Sequence, residues 1–223
     1  MNSPKYIALF LVFLANIVCA IRLFKDEGIN ETEESGAVAV NRRFLIVYSV
    51  IAIVINISIG IFLLMFYKEN SVLYSVKRML MLALLWPIAL IDIKTYRIPN
   101  RFIITGLLFR LAVLIFELFF ENEILFGTLK SEVIAVIALC LAAFLCSVCM
   151  KGSIGYGDIK LFIVMGMLLG MDGIWGAIFM SLIIAFISSV ILLLAKKKGK
   201  KDIVPFAPSI ALGTYISIIL TGM

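Results

Sequence analysis

Lys151-Gly-Ser-Ile-Gly-Tyr-Gly-Asp158-Ile-Lys160 is a short, polar, glycine-rich break between two long apolar runs. In a soluble chain such a stretch would be an ordinary surface turn. Here 63% of the residues are hydrophobic, 15% are charged and the mean hydropathy is +1.15, whereas a soluble domain is about half apolar. The chain is therefore read as an integral membrane protein. Lipid leaves only helices or a closed barrel as spanning structures, and long apolar runs without strand-like alternation select helices. The fold class is all-α, a polytopic transmembrane helical bundle.

Measured against the roughly 20 apolar residues that cross a bilayer, spans are predicted at 6–21, 43–66, 72–91, 102–120, 133–150, 161–171, 174–195 and 205–222. The third carries Lys77 and Arg78 in its first half, and both are expected to snorkel toward an interface. The sixth is short, and is either tilted or continuous with the seventh through Asp172-Gly173. With eight crossings, the loops at 22–43, 92–101, 151–160 and 196–202 share one side and hold 14 Lys and Arg; the other side holds five, and Arg110 stays inside the membrane. The positive-inside rule makes the first side cytoplasmic and leaves both termini outside. Val18-Cys-Ala20 after the first apolar run also has the look of a signal-peptide cleavage site. Cleavage there would invert everything downstream, so the run is read as a transmembrane helix. The acidic 22–43 loop reads as a flexible linker, and Lys196 to Lys201 as a membrane-surface anchor.

Composition also removes function classes. The net charge of +6 arises from loops beside spans, so it reads as an orientation signal and no nucleic-acid partner is expected. Cys19, Cys140, Cys146 and Cys149 lie in apolar segments and are expected to pack. The C-x-x-C spacing of the last pair lacks the second pair a structural zinc site needs. Without histidine, Ser-His-Asp and Cys-His catalysis and His-ligated metals are excluded. Acid–base chemistry must come from carboxylates, Lys, Tyr or a thiol, and no cofactor or metal is implied.

A second acid, Asp92 in Ile91-Asp-Ile-Lys-Thr-Tyr-Arg-Ile-Pro-Asn100, occupies the same kind of apolar-to-polar boundary as Asp158. Two spans separate the pair, out and back, so both return to one face. Each opens an Asp-Ile-Lys triplet, and Lys94 and Lys160 either tune the pair or mark the cytoplasmic side. Adjacent carboxylates share a proton, one acting as base and one as acid, which activates water without histidine. Gly155 and Gly157 give the backbone freedom beside Asp158. Pro99 turns the chain out of helix after Asp92, and Pro87 is expected to kink the helix leading to it.

Gly155-Tyr-Gly-Asp158 is similar to the GxGD signature of membrane aspartyl proteases. Asp92 to Asn100 resembles the first aspartate motif of type IV prepilin leader peptidases, and Val204-Pro-Phe-Ala-Pro-Ser-Ile-Ala-Leu-Gly213 resembles that family's Pro-Phe-Gly-Pro segment, with Ala207 in place of the glycine. The resemblance covers about residues 72–222 and implies Asp92 and Asp158 as catalytic residues, supported by Gly155, Gly157, Lys94, Lys160, Pro99, Asn100, Pro205 and Pro208. It implies a six-helix core at 72–223, with residues 1–71 forming an extra transmembrane hairpin and its cytoplasmic loop. It further implies an endopeptidase of the plasma membrane that removes the basic leader of pilin-like precursors, after a glycine, at the cytoplasmic face. Partners are then the precursors and membrane lipids. The paired C-x-x-C domain of bifunctional members is absent, so N-methylation of the product is not expected. The alternative is a non-catalytic assembly factor of a pilus or secretion system. A transporter would need its ionisable groups near mid-membrane.

Weaker signals are mostly structural. Arg110 and Glu117, seven apart on one helical face, are expected to pair with each other or with neighbouring helices. Gly166-Met-Leu-Leu-Gly170 reads as a close helix contact. Asn16 and Asn56 are expected to join the first two helices through a hydrogen bond, and Trp86 and Trp175 fit either packing or an interface belt.

Overall fold

Eighteen successive residues, Ser75 through Asp92, are buried along one helix, and the rest of the bundle is arranged around it. The computed structural model describes residues 3–30, 42–67, 69–149, 155–195 and 204–222. Among them are seven helices: α1 (Ser3–Asn30), α2 (Arg42–Phe66), α3 (Val72–Thr95), α4 (Asn100–Phe120), α5 (Asn122–Cys149), α6 (Tyr156–Leu194) and α7 (Ala207–Thr221). Five segments are long and apolar enough to cross a membrane, within α1, α2, α4, α5 and α6. Their outward faces carry exposed side chains such as Phe10, Phe126 and Phe186, as contact with lipid tails requires. The polytopic helical bundle read from the sequence is the fold. A helix enclosed on all sides has no lipid-facing stripe to keep apolar, and so α3 carries charges.

Hydrogen bonds sort the helix ends into two groups. At one end Lys5 Nζ donates to Leu64 O (3.1 Å), Ser71 Oγ to Glu121 Oε2 (2.9 Å) and Asn70 Nδ2 to Gly222 O (3.0 Å). At the other, Arg22 Nη1 donates to Arg101 O (3.1 Å) and Lys160 Nζ to Asn100 Oδ1 (3.0 Å). The segment after Asp92 and the start of α6 therefore share an end.

The sixth and seventh predicted spans form one helix that folds back on itself, and the break falls at Gly170, not at Asp172-Gly173. Gly170 has φ 66 and ψ −174, a combination essentially reserved for glycine. Three contacts fix the direction of each half. Phe162 meets Phe206 with ring centroids 6.1 Å apart, Ser181 Oγ donates to Ile210 O at 3.3 Å, and Gly176 lies against Ser217. Passing along α7 from 210 to 217, its partners on α6 fall from 181 to 176, so the second half runs antiparallel to α7 while the first half runs with it. The N–H of Met171, released by the break, donates to Ser131 Oγ at 2.9 Å. Gly166 makes the close helix contact, against Val136 and Leu139 of α5.

Lys77 and Arg78 do not snorkel. Lys77 Nζ lies 3.0 Å from Glu117 Oε1 and 2.9 Å from Glu132 Oε1, and Arg110 reaches Glu117 Oε2 at 2.9 Å and Glu132 Oε2 at 2.7 Å. Two cations and two anions from α3, α4 and α5 thus form a closed, neutral square, all four buried. Arg78 lies over the Tyr74 ring, 3.3 Å from its centroid. α5 begins at Asn122, well before the expected start at 133, so the paired Glu132 lies inside the helix.

Other expectations divide. Asn56 Nδ2 donates to Asn16 Oδ1 at 2.8 Å, as expected, and Tyr215 Oη extends the network by donating to Asn56 Oδ1. Trp86 is packed at 3% exposure, whereas Trp175 is 48% exposed. Cys19 is buried, but Cys140 and Cys146 are exposed on α5 and contribute nothing to the core. The lysines from 196 to 201 lie outside the described residues.

Removing one corner of the charge square strands a buried charge, which costs about 3–5 kcal/mol. Arg110→Met is accordingly expected to lower the unfolding temperature in detergent sharply. Exposed Lys130→Met, on α5, serves as a control expected to leave it unchanged.

Candidate active site

Both acids sit inside helices, one turn from the ends, not in the loops beyond. Asp92 belongs to the last turn of α3, where Tyr96 closes the helix in the left-handed region (φ 53, ψ 32) and its N–H donates to Asp92 O at 2.9 Å. Asp158 belongs to the first turn of α6, and its carboxylate accepts from the N–H of Gly155, the N-cap residue. An acid reaching back in this way supplies half of a capping box and suits the positive end of the helix dipole. Asp92 has the opposite situation, a carboxylate at the negative end of its own helix.

Compensation comes from the third sequence block. The N–H of Ala207, first residue of α7, donates to Asp92 Oδ2 at 2.9 Å, and the N–H of Phe206 adds a second interaction. Helix N-termini offer free N–H groups and a partial positive charge to anions. Pro208 follows within the first turn of α7, where a residue without an N–H costs nothing. Because the bond uses the backbone of Ala207, the side-chain methyl does not interrupt it.

Two contacts unite the two aspartate segments, and Gly155 leaves room for one of the carboxylates. A Cβ on Gly157 would lie 3.2 Å from Ile98 Cβ, so the glycine lets the start of α6 press against the segment that follows Asp92. A Cβ on Gly155 would meet Asp158 Oδ2 at 3.1 Å, within the space the carboxylate needs. Lys160 Nζ donates to Asn100 Oδ1 at 3.0 Å, tying the lysine of one motif to the asparagine of the other. The carboxylates are close enough for the charge of Asp92 to act on Asp158. Asp92 is 5% exposed and Asp158 half-buried, so the pair lies partly open to the polar side.

The remaining predicted residues have lesser places. Pro99 precedes α4 as its N-cap, Lys94 is half-buried in the last turn of α3, and Pro205 lies just ahead of α7. Sequence reading did not single out Ile98, Phe162 or the backbone of Ala207. Ile98 and Ala207 fall within quoted motifs, but their roles depend on contacts between segments that no single stretch encodes.

The type IV leader peptidase family matches residues 79–194, a stretch that includes both aspartates. The chain belongs to the type IV leader peptidase family. It is also similar to the prepilin leader peptidase/N-methyltransferase of Bacillus subtilis (strain 168), 31% identical over 136 residues, which cover 61% of this chain and 52% of that protein. The chain thus spans about half the length of the curated relative it matches. No solved structure matches it. The family match ends before the segment that supplies Ala207, so the α7 contact to Asp92 is an observation of the structure alone.

Ala207 is completely buried, and overpacking such a site costs about 1–3 kcal/mol. Ala207→Leu is therefore expected to lower thermal stability in detergent, while Ala207→Gly, which keeps the N–H, is expected to stay near the parent.

Proposed function

We propose that this protein is an aspartic endopeptidase of the plasma membrane that removes a short basic leader from pilin-like precursors. The observation that carries the reading is the convergence of three separate segments on one carboxylate pair, through Gly157 against Ile98, Lys160 to Asn100 and the Ala207 N–H to Asp92. Family membership points to the same chemistry.

In this reading Asp92 and Asp158 hold one proton between them, since two neighbouring carboxylates do not both ionise readily. The ionised member takes a proton from water, which attacks the scissile carbonyl, while the protonated member donates to the developing oxyanion. The pair titrates as a unit, so activity belongs to its singly protonated form. It is lost in acid, when both carboxyls are neutral, and in base, when both are charged. Residues 72–223 form the catalytic core and residues 1–71 an added hairpin. The charge bias of the loops puts the site at the cytoplasmic face and both termini outside.

Asp92→Asn and Asp158→Asn are each expected to leave the protein folded and to reduce cleavage of a co-expressed precursor by at least about 10²–10⁴-fold, the usual scale of acid–base catalysis. Normal processing by both variants would end the peptidase reading in favour of an assembly role. Orientation has its own test. Single cysteines introduced as Thr95→Cys and Ser153→Cys are expected to react with impermeant reagents only from the cytoplasmic side.

A further inference from the structure

An apolar groove of about 340 Å³ runs between α2, α3 and α7, within the range of about 300–1,000 Å³ typical of ligand clefts. Its floor is made by three alanines, one from each helix: Ala52, Ala89 and Ala211. Each is buried, at 8%, 5% and 6% exposure, and the small side chains leave the depression. Ile51 and Ile55 of α2 form one wall, and Leu212 and Ile216 of α7 the other; these four are exposed. The groove therefore opens sideways, toward lipid.

Its upper limit is specific. Ile93 and Pro208 line that end, and they are the residues next in sequence to Asp92 and to Ala207, whose N–H holds Asp92. From Pro208 to Ile216 is eight residues along α7, about 12 Å or two helical turns. The wall on α2 is fixed by polar contacts, with Tyr48 Oη donating to Trp86 O at 2.9 Å and Tyr215 Oη to Asn56. A helix lying in this groove has its end delivered to the carboxylates. A lipid chain in the same place would gain nothing from that termination.

We propose that the groove seats the first two turns of the precursor's apolar segment, immediately after the scissile bond, and that α2 of the N-terminal hairpin is a substrate-binding wall. The proposal rests on the peptidase reading above and assigns its substrate a path. Apolar side chains of the incoming segment fill the depression over the alanines, and the bond to be cut emerges beside Asp92 and Asp158.

The test uses the full chain in membranes with a designed precursor: a short lysine-rich leader, a glycine and one apolar segment of about 20 residues. In an Asp158→Asn background, which keeps the precursor intact, Ile51→Cys is expected to cross-link to a precursor cysteine about one turn after the glycine, and Ile55→Cys to one about a turn further on. With the native aspartates, Ala52→Leu is expected to slow processing by at least about tenfold, on the scale of misplacing a substrate, with little change for a peptide truncated just after the scissile bond. Cross-linking without that register, capture of lipid alone, or full processing by a folded Ala52→Leu protein would overturn the groove assignment. Loss of processing in the Asp158→Asn protein itself would at the same time keep the peptidase reading intact.

Discussion

A carboxylate at the C-terminal end of a buried helix is the constraint on which this arrangement depends. Asp92 is 5% exposed and lies in the last turn of α3, where the helix's own dipole opposes negative charge. Something positive has to come to it. The backbone N–H groups at the start of α7 do so at 2.9 Å for Ala207, so α7 must begin at that level and run down beside α3. The fold-back of α6 at Gly170 then follows, because its second half is the partner along which α7 packs. Asp158 needs no such service, being capped by its own helix.

The two ends of the bundle treat charge differently. In the N-terminal half of α3, Lys77 is locked with Arg110, Glu117 and Glu132 in a square with no spare charge. Such a buried network adds little net stability, but removing any member is costly, so it fixes how α3, α4 and α5 sit. At the other end, among the described residues, backbone N–H groups of Ala207, Phe206 and Gly155 meet the two carboxylates. The buried helix α3 carries one corner of the square, Lys77, near one end and Asp92 near the other.

Much of this was legible in the sequence. Hydropathy gave the helical class, and the even number of crossings between Asp92 and Asp158 put them at one end, as the Lys160 to Asn100 bond bears out. Asn16 and Asn56 were read as bonding across helices, and Arg110 and Glu117 as pairing with each other or with neighbours, and both arrangements occur. Lys77 was misread because its partner Glu132 is 55 residues away and only tertiary contact joins them. The reversal point was placed two residues late because Asp172-Gly173 looks like a turn, whereas the structure uses Gly170, whose φ of 66 a one-dimensional pattern does not reveal. The groove is invisible in the sequence, since its three alanines come from three helices and mean nothing until they meet.

The reversal at Gly170 also sets the length of each limb of α6. From Tyr156 to Leu169 the first limb of α6 has fourteen residues, about 21 Å at 1.5 Å per residue, and the fifteen residues of α7 reach about 22 Å. Hydrocarbon is about 30 Å thick, and a shorter element is accommodated by local thinning of the membrane. α7 falls short of that thickness, and it packs along the longer second limb of α6, which continues to Leu194.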